Sequence, residues 1–460
     1  MRPLTAAFIT FAALAQTGGD ISGTWQGSIV AGGATLHLGL NVSGSAEKYT
    51  ATLDSYDQGA LGISATAVKL EGRQLHLEVP SIGGSYDAAL SADGKTLSGT
   101  WKQSGQSFPL TLTRGEHKSP NRPQEPKPPF PYRSEDVSYE NAKAGVKLAG
   151  TLTIPAGSGP FPAVLLITGS GPQDRDETLF GHKPFLVIAD SLTRSGIAVL
   201  RMDDRGVGGS SGVLSKATED DLADDALAGV EFLRARHDIL PARIGLIGHS
   251  EGADIAARAA SRSPSIAFIV MLAGTGIPGE ELLTSQAEAI MRAEGDPADE
   301  IQRNTDLQRG LFRILREEKD SAVAQERLRE ALNDFVKDSN RSAAEKERFV
   351  DSQVRGVMSP SLRSIILADP GAVLRMVTCP VLALNGSRDL QVVARLNLPA
   401  IAKALGEGGN PDYEIAELPM LNHLFQHAGT GLVSEYGTIE QTFAPEALDV
   451  MNEWLQRHVK

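Results

Sequence analysis

The chain divides into two stretches with different hydrophobic periods. Between residues 20 and about 114, apolar and polar positions alternate, most clearly in ATLHLGLNVS (34–43) and QLHLEVP (74–80), with Gly, Ser and Asp between the runs. A period of two broken by turn residues predicts half-buried antiparallel strands and a small all-β barrel or sandwich. ISGTWQGSI (21–29) is echoed by LSGTWKQSG (97–105), so Trp25 and Trp101 occupy similar settings and are expected to plug the core. From about residue 135, short continuous apolar runs alternate with helical stretches: AVLLIT (163–168), PFLVIADSLTRSG (184–196), IAVLRM (197–202), LADDALAGVEFLRAR (222–236), IGLIGH (244–249), GADIAARAA (252–260) and IAFIVMLAG (266–274). Such runs read as buried parallel strands, and their alternation with helices predicts an α/β sheet with right-handed crossovers. Strand signals stop between 277 and about 375, where LFRILREEKDSAVAQERLREALNDFVKD (311–338) is helical and charged. They resume at CPVLALNG (379–386) and YEIAELP (413–419), and a helix follows at 445–458. A helical insertion between two strands is expected to cap a site at the strand ends.

The two stretches are joined by EHKSPNRPQEPKPPFPYR. Its prolines predict an extended, semi-rigid spacer over 116–134, between an all-β domain at 20–115 and a catalytic domain at 135–460. The N-terminus, MRPLTAAFITFAALAQTGGD, has Arg2, an apolar stretch from Leu4 to Ala12 and a small-residue Ala13-Leu14-Ala15 pattern. This predicts an export signal at 1–15, cut after Ala15, and a periplasmic or secreted protein with no membrane span. The single Cys379 excludes an intrachain disulfide. The formal net charge of −13, without a basic stripe, argues against nucleic-acid binding.

The chemistry centres on IGLIGHSEGADIAARAA (244–260), an apolar strand running into Gly248-His249-Ser250-Glu251-Gly252 and straight into a small-residue helix. That context gives the G-x-S-x-G pattern its meaning, with Ser250 as nucleophile on a tight turn. Gly208-Gly209-Ser210-Ser211-Gly212 also matches the pattern, but it follows RMDDRG and precedes no helix, so a flexible turn is expected there. A serine hydroxyl needs a base, and the base needs an orienting acid, in the chain order Ser, Asp or Glu, His. Asp389 follows the strand VLALNG and His423 follows YEIAELP, which fits order and placement. His423 and His427 in HLFQH have the i, i+4 spacing of a zinc helix, but Leu424 stands where that motif needs Glu. No metal or cofactor is expected.

LLITGSGPQDRDE (165–177) ends a strand in a Gly-rich turn of the kind that holds either a phosphate or an oxyanion. Pro172 removes a donor, and Asp174 and Asp176 would repel phosphate. The loop is therefore expected to supply the second oxyanion donor, the N–H of Ser170, the first being the N–H of Glu251.

These stretches resemble α/β-hydrolase-fold bacterial serine esterases of the serine aminopeptidase-like S33 branch, close to the EstD-like carboxylesterases. The matching segments are GSGPQDRDE, GHKPFLVIADSLTRSGIAVLRMDDRGVGGSSG, GHSEGA, CPVLALNGSRDLQV and LNHLFQHAGTG followed by SEYGTIEQTFAPEAL, over about 135–460. The resemblance implies an α/β-hydrolase fold with a helical cap. It also implies hydrolysis of small-molecule, short-chain esters with Ser250, Asp389 and His423 as the triad. One departure is Thr168, where His often precedes the glycine. The Gly23-Thr24-Trp25 start resembles lipocalin-like barrels. Two alternatives stay open: an aminopeptidase or acyl-peptide hydrolase on the same triad, and the β domain as the main ligand-binding module. The natural ester and the oligomeric state are not legible from the sequence.

Overall fold

A computed structural model of the chain describes residues 19–31, 34–45, 48–56, 60–103, 105–115, 121–339 and 342–459. The signal expected at 1–15 and residues 116–120 of the expected spacer lie outside them. The chain forms two compact units, Met1–Pro120 with Leu179–Gly181, and Asn121–Thr178 with His182–Lys460.

The first unit is antiparallel. Its strands among the described residues are β1 (Gly23–Ala31), β2 (Ala34–Ser45), β3 (Lys48–Ser55), β4 (Ala60–Ala65), β5 (Ala67–Glu71), β6 (Gln74–Val79), β7 (Gly84–Leu90), β8 (Thr96–Gln103) and β9 (Gln106–Arg114). They pair in the order β4-β3-β2-β1-β9-β8-β7-β6-β5. The sheet curls until its two edges approach, with β3 and β4 against β5 and β6. Alternation puts Leu75, Leu77 and Val79 of β6 inside, beside Leu40, Leu97 and Leu112. Trp25 and Trp101 are 1% and 2% exposed and fill this interior, as their echoed settings predict. Their polar tips are satisfied: Trp25 Nε1 donates to the Ile21 carbonyl at 2.9 Å and Trp101 Nε1 to Gln103 Oε1 at 3.2 Å. The interior is thus a packed core, barrel-like in shape.

The second unit is built on one sheet of β10 (Arg133–Asn141), β11 (Val146–Ile154), β12 (Phe161–Ile167), β13 (Ala198–Met202), β14 (Ile239–His249), β15 (Ile269–Leu272), β16 (Val381–Gly386) and β17 (Tyr413–Leu418), in the order β10-β11-β13-β12-β14-β15-β16-β17. β10, β11 and β13 pair antiparallel, and the remaining pairs are parallel. β12 is apolar throughout because both its faces are covered. Leu165 packs with α2 (Glu219–Arg234) and α3 (Glu251–Arg262) on one side, and Leu166 packs with α1 (Pro184–Arg194) and α12 (Pro445–His458) on the other. Each such leucine, fully removed from water, contributes about 1.5–3 kcal/mol. This is the α/β-hydrolase arrangement.

Between β15 and β16 the described residues form α4 (Gly279–Glu294), α5 (Ala298–Glu317), α6 (Ser321–Val336), α7 (Ala343–Val357), α8 (Pro360–Leu367) and α9 (Pro370–Leu374). Local sequence starts these helices: the Asp320 side chain caps α6, and Ser342 with Glu345 forms a capping box on α7. Leu311, Leu315, Leu328, Leu332, Val350 and Val354 close a separate apolar core within this insertion.

The proline-rich segment departs from the expected spacer. From Asn121 it belongs to the second unit, which therefore begins before residue 135. Arg122 donates to the carbonyls of Ile439 at 2.7 Å and Gly437 at 2.9 Å. Gln124 donates to the Phe443 carbonyl and accepts from the N–H groups of Thr442 and Phe443. Proline removes donors and fixes an extended path, but it does not prevent neighbouring side chains from docking that path.

Candidate active site

β14 runs straight into His249, and α3 starts at Glu251, so Ser250 occupies the whole turn with φ 53° and ψ −122°. A non-glycine residue there is strained by roughly 1–3 kcal/mol. The turn is held by the Ser250 N–H donating to the Leu272 carbonyl at 2.8 Å. The glycines on either side answer a packing demand. A Cβ on Gly248 would overlap the Gly252 carbonyl, and one on Gly252 would overlap the carbonyls of Ile167 and Thr168. Glu251 opens the helix, so its N–H has no acceptor one turn earlier, and the positive end of α3 faces the serine.

Asp389 and His423 come together although they are far apart in sequence. His423 Nδ1 lies 2.7 Å from Asp389 Oδ2, and both side chains are buried. Asp389 Oδ1 accepts the N–H groups of Gln391 at 2.8 Å and Val392 at 2.9 Å, which fixes the carboxylate plane. Asn385 Nδ2, at the end of β16, donates to the Val392 carbonyl at 2.7 Å and closes that loop. His423 sits in a tight turn rather than a zinc-type helix. Asn422 Oδ1 accepts from the N–H groups of Leu424 and Gln426, and Leu421 bridges His427. His427 turns outward to Gln441 and Glu446.

The loop after β12 explains its alternating charges. Asp174 accepts from Asp176 N–H, Thr178 N–H and Thr178 Oγ1, making a turn. Arg175 pairs with Asp203, and Asp176 pairs with buried Arg201. Glu177, at φ 52°, points inward and is 1% exposed. Its Oε1 accepts the Gly169 N–H at 2.7 Å and lies 2.9 Å from His249 Nδ1. His249 Nε2 lies 2.9 Å from the His423 carbonyl oxygen. Burial opposes a charge on His249, but the Glu177 carboxylate and the His423 carbonyl hold its proton, and the balance raises its pKa. A second buried carboxyl, Asp204, accepts from Thr168 Oγ1 at 2.8 Å and from the Gln173 N–H at 2.8 Å. Burial pushes it up to about 7, against these hydrogen bonds. Thr168, which stands where the resembled family often has His, is thus tied to the neighbouring strand end by its bond to Asp204. Sequence motifs alone do not mark Glu177, His249 and Asp204 as parts of this site; the charge-rich DRDE and MDDRG runs are the signal that could.

Ser170 and Ser250 line one cavity of about 170 Å³ together with Gln391 and Val392 from the Asp389 loop. Leu282, Leu283, Ile365 and Val373 of the helical insertion supply its apolar wall. Its polar wall carries Glu219, paired with Arg258, and the carboxyls of Glu251 and Asp254, which burial shifts upward, Asp254 to about 7. The cavity is thus less anionic at neutral pH than its residue types suggest. The second G-x-S-x-G match is structural: Ser210 Oγ donates to the Asp203 carbonyl at 2.8 Å and accepts the Ala149 N–H at 2.9 Å.

Residues 184–359 match the family described as serine aminopeptidase, S33. The chain is 31% identical over 277 residues to esterase EstD of Thermotoga maritima, covering 60% of this chain and 58% of that protein. It is 33% identical over 135 residues to the uncharacterized protein Rv2307c of Mycobacterium tuberculosis, covering 29% of this chain and 44% of that protein. These alignments span less than two thirds of the length of either relative. Among solved structures, the Pyrococcus furiosus esterase Pf2001 superposes with a TM-score of 0.43 at 18% identity, covering 75% of this chain and 100% of that chain.

Proposed function

We propose that this chain, whose α/β-hydrolase unit carries a serine aminopeptidase S33-type domain, is a serine carboxylesterase for small, short-chain esters. The observation that carries the reading is the strained Ser250 turn, opening onto a largely apolar cavity also lined by Gln391 and Val392, whose N–H groups hold the Asp389 carboxylate paired with His423. His423 takes the Ser250 proton through Nε2 while Asp389 holds Nδ1–H and stabilises the cation. Ser250 Oγ bonds to the ester carbonyl carbon, and the oxyanion forms between the N–H groups of Ser170 and Glu251. The alcohol leaves with the proton from His423, and water activated by the same ring releases the acid. A cavity of about 170 Å³ is close to one that holds a benzene-sized group, which supports a short acyl chain. The test is hydrolysis of p-nitrophenyl esters from acetate to palmitate by wild type and Ser250→Ala. A fall of about 10⁴–10⁶ in turnover on the shorter esters is expected, and an active Ser250→Ala protein overturns the reading.

An aminopeptidase or acyl-peptide hydrolase on the same residues draws on the carboxyls in the cavity wall, which a substrate amine would meet. The pKa of Asp254, raised to about 7 by burial, and the Glu219–Arg258 pairing weaken that attraction at neutral pH. Aminoacyl anilides assayed beside the esters separate the two readings. The filled interior of the β unit supports a self-contained core over a ligand-binding module. The proposal also puts the enzyme in the periplasm or outside the cell, on the strength of its N-terminal pattern. Mass spectrometry of exported protein should find Gln16 first, and an intact Met1 overturns that placement.

A further inference from the structure

We infer that Glu177 and His249 form a positioning pair for this hydrolysis, a buried carboxylate and imidazole that lock the oxyanion loop, the nucleophile turn and the His423 loop to one another. The inference rests on the esterase reading above and names two residues that the triad does not include.

Three contacts carry it, and each ends on a different working part. Glu177 Oε1 accepts the Gly169 N–H at 2.7 Å, which fixes the Thr168–Gly169 peptide immediately ahead of Ser170, a residue that lines the cavity. The same oxygen lies 2.9 Å from Nδ1 of His249, the residue immediately before Ser250. His249 Nε2 lies 2.9 Å from the backbone carbonyl of His423. A carbonyl can only accept, so Nε2 carries a proton. The carboxylate likewise accepts at Nδ1, so the ring is an imidazolium balanced by Glu177. The residues Glu177, His249 and His423 are each at most 5% exposed, and the two imidazole rings sit 4.8 Å apart.

An apolar residue would fill the same space without desolvating two charges, and a buried ion pair is a weak source of stability. What the pair supplies instead is direction. Its donors and acceptors have fixed angles, so a shift of any one loop breaks a bond to another. Glu177 reaches this place only through the Asp174 turn and a left-handed backbone, which a carboxylate of purely local use would not require. Reacting groups displaced by about 1 Å lose on the order of 10²-fold in rate, as does an oxyanion hole that loses a donor.

The test compares wild type, Glu177→Gln, His249→Gln and the double variant on p-nitrophenyl acetate, with melting curves and inhibition by an alkyl boronic acid that adds to the serine. Each single variant should lower kcat by about 10²–10³ with KM changed less than threefold. Boronate affinity should weaken in parallel, because the tetrahedral adduct needs the same oxyanion donors. The double variant should fall no further than the worse single one, the mark of residues acting as a unit. A folded variant with kcat within threefold of wild type, or losses that multiply in the double variant, overturns the inference. If Glu177→Gln fails to fold, His249→Gln decides by the same criteria, and unfolding of both overturns positioning in favour of a purely structural role. A wild-type protein that cleaves no ester overturns the esterase reading itself and the pair's role with it.

Discussion

Replacing Asp389 with Asn tests the chemistry of the His423 pair without changing its shape. The two backbone donors on Oδ1 decide how the new amide sits. If its NH₂ faced Gln391 and Val392, two buried N–H groups would lose their acceptor, at about 1–3 kcal/mol each. The amide oxygen therefore keeps those two bonds, and the NH₂ takes the Oδ2 position, 2.7 Å from His423 Nδ1. An NH₂ donates, so Nδ1 must accept, and the ring proton moves to Nε2, the nitrogen that should receive the Ser250 proton. Turnover on p-nitrophenyl acetate at neutral pH should fall by roughly 10⁴, about 5.4 kcal/mol of barrier at 1.36 kcal/mol per tenfold. Stability should change little, since both loop bonds survive. The assay pairs steady-state kinetics with urea unfolding of the same preparation. A variant within tenfold of wild-type kcat would refute the assignment of Asp389 as the orienting acid. A stable variant that stays inactive across the pH range in which wild type turns over would support it.

Three further outcomes follow from the geometry. Asp204 should cost stability as pH rises. Its folded pKa is raised to about 7, so between about 4 and 7 the folded chain keeps a proton that the unfolded chain has released. Its contribution is unpenalised below about 4, falls across that window by roughly 4 kcal/mol, and levels off above it; urea unfolding of wild type against Asp204→Asn at several pH values reads the change, and a constant difference contradicts it. Ser210→Ala should keep ester turnover within a few-fold of wild type while losing about 1–3 kcal/mol of stability, because it leaves the Ala149 N–H unpaired; lost turnover in a folded protein would make the second motif more than a turn. Trp25→Ala should destabilise the β unit by about 3–5 kcal/mol, read by near-ultraviolet circular dichroism melting, and a loss under 1 kcal/mol would mean that the interior is not packed around it.

What the sequence disclosed was whatever lies within one element. The apolar run of β12 and the alternation of β6 each state their own burial, and the Ser250 turn carries its glycines beside it. Asp389 and His423 were readable because each follows a recognisable strand. The contacts that were hidden join residues remote in the chain. Glu177 meets His249 across 72 positions, and Arg122 meets the Gly437 carbonyl across 315. Backbone carbonyls leave no mark in a sequence, so a proline-rich strap looks the same whether it is docked or free. In the sequence the DRDE run stands out for the anion it would repel, whereas in the fold each of its charges has a partner of its own.

The helical insertion leaves the sheet after β15 and returns at β16, and these two strands are hydrogen-bonded neighbours. Its exit and entry points are therefore held at a fixed spacing by the sheet, while its helices close on an apolar core of their own. Mutations within that core can reshape the cavity wall at Leu282, Leu283 and Ile365 without disturbing the turn that presents Ser250. Substrate preference and catalytic competence can thus change independently in descendants of this chain, and exchanging 277–375 for another insertion is a natural route to a new ester specificity.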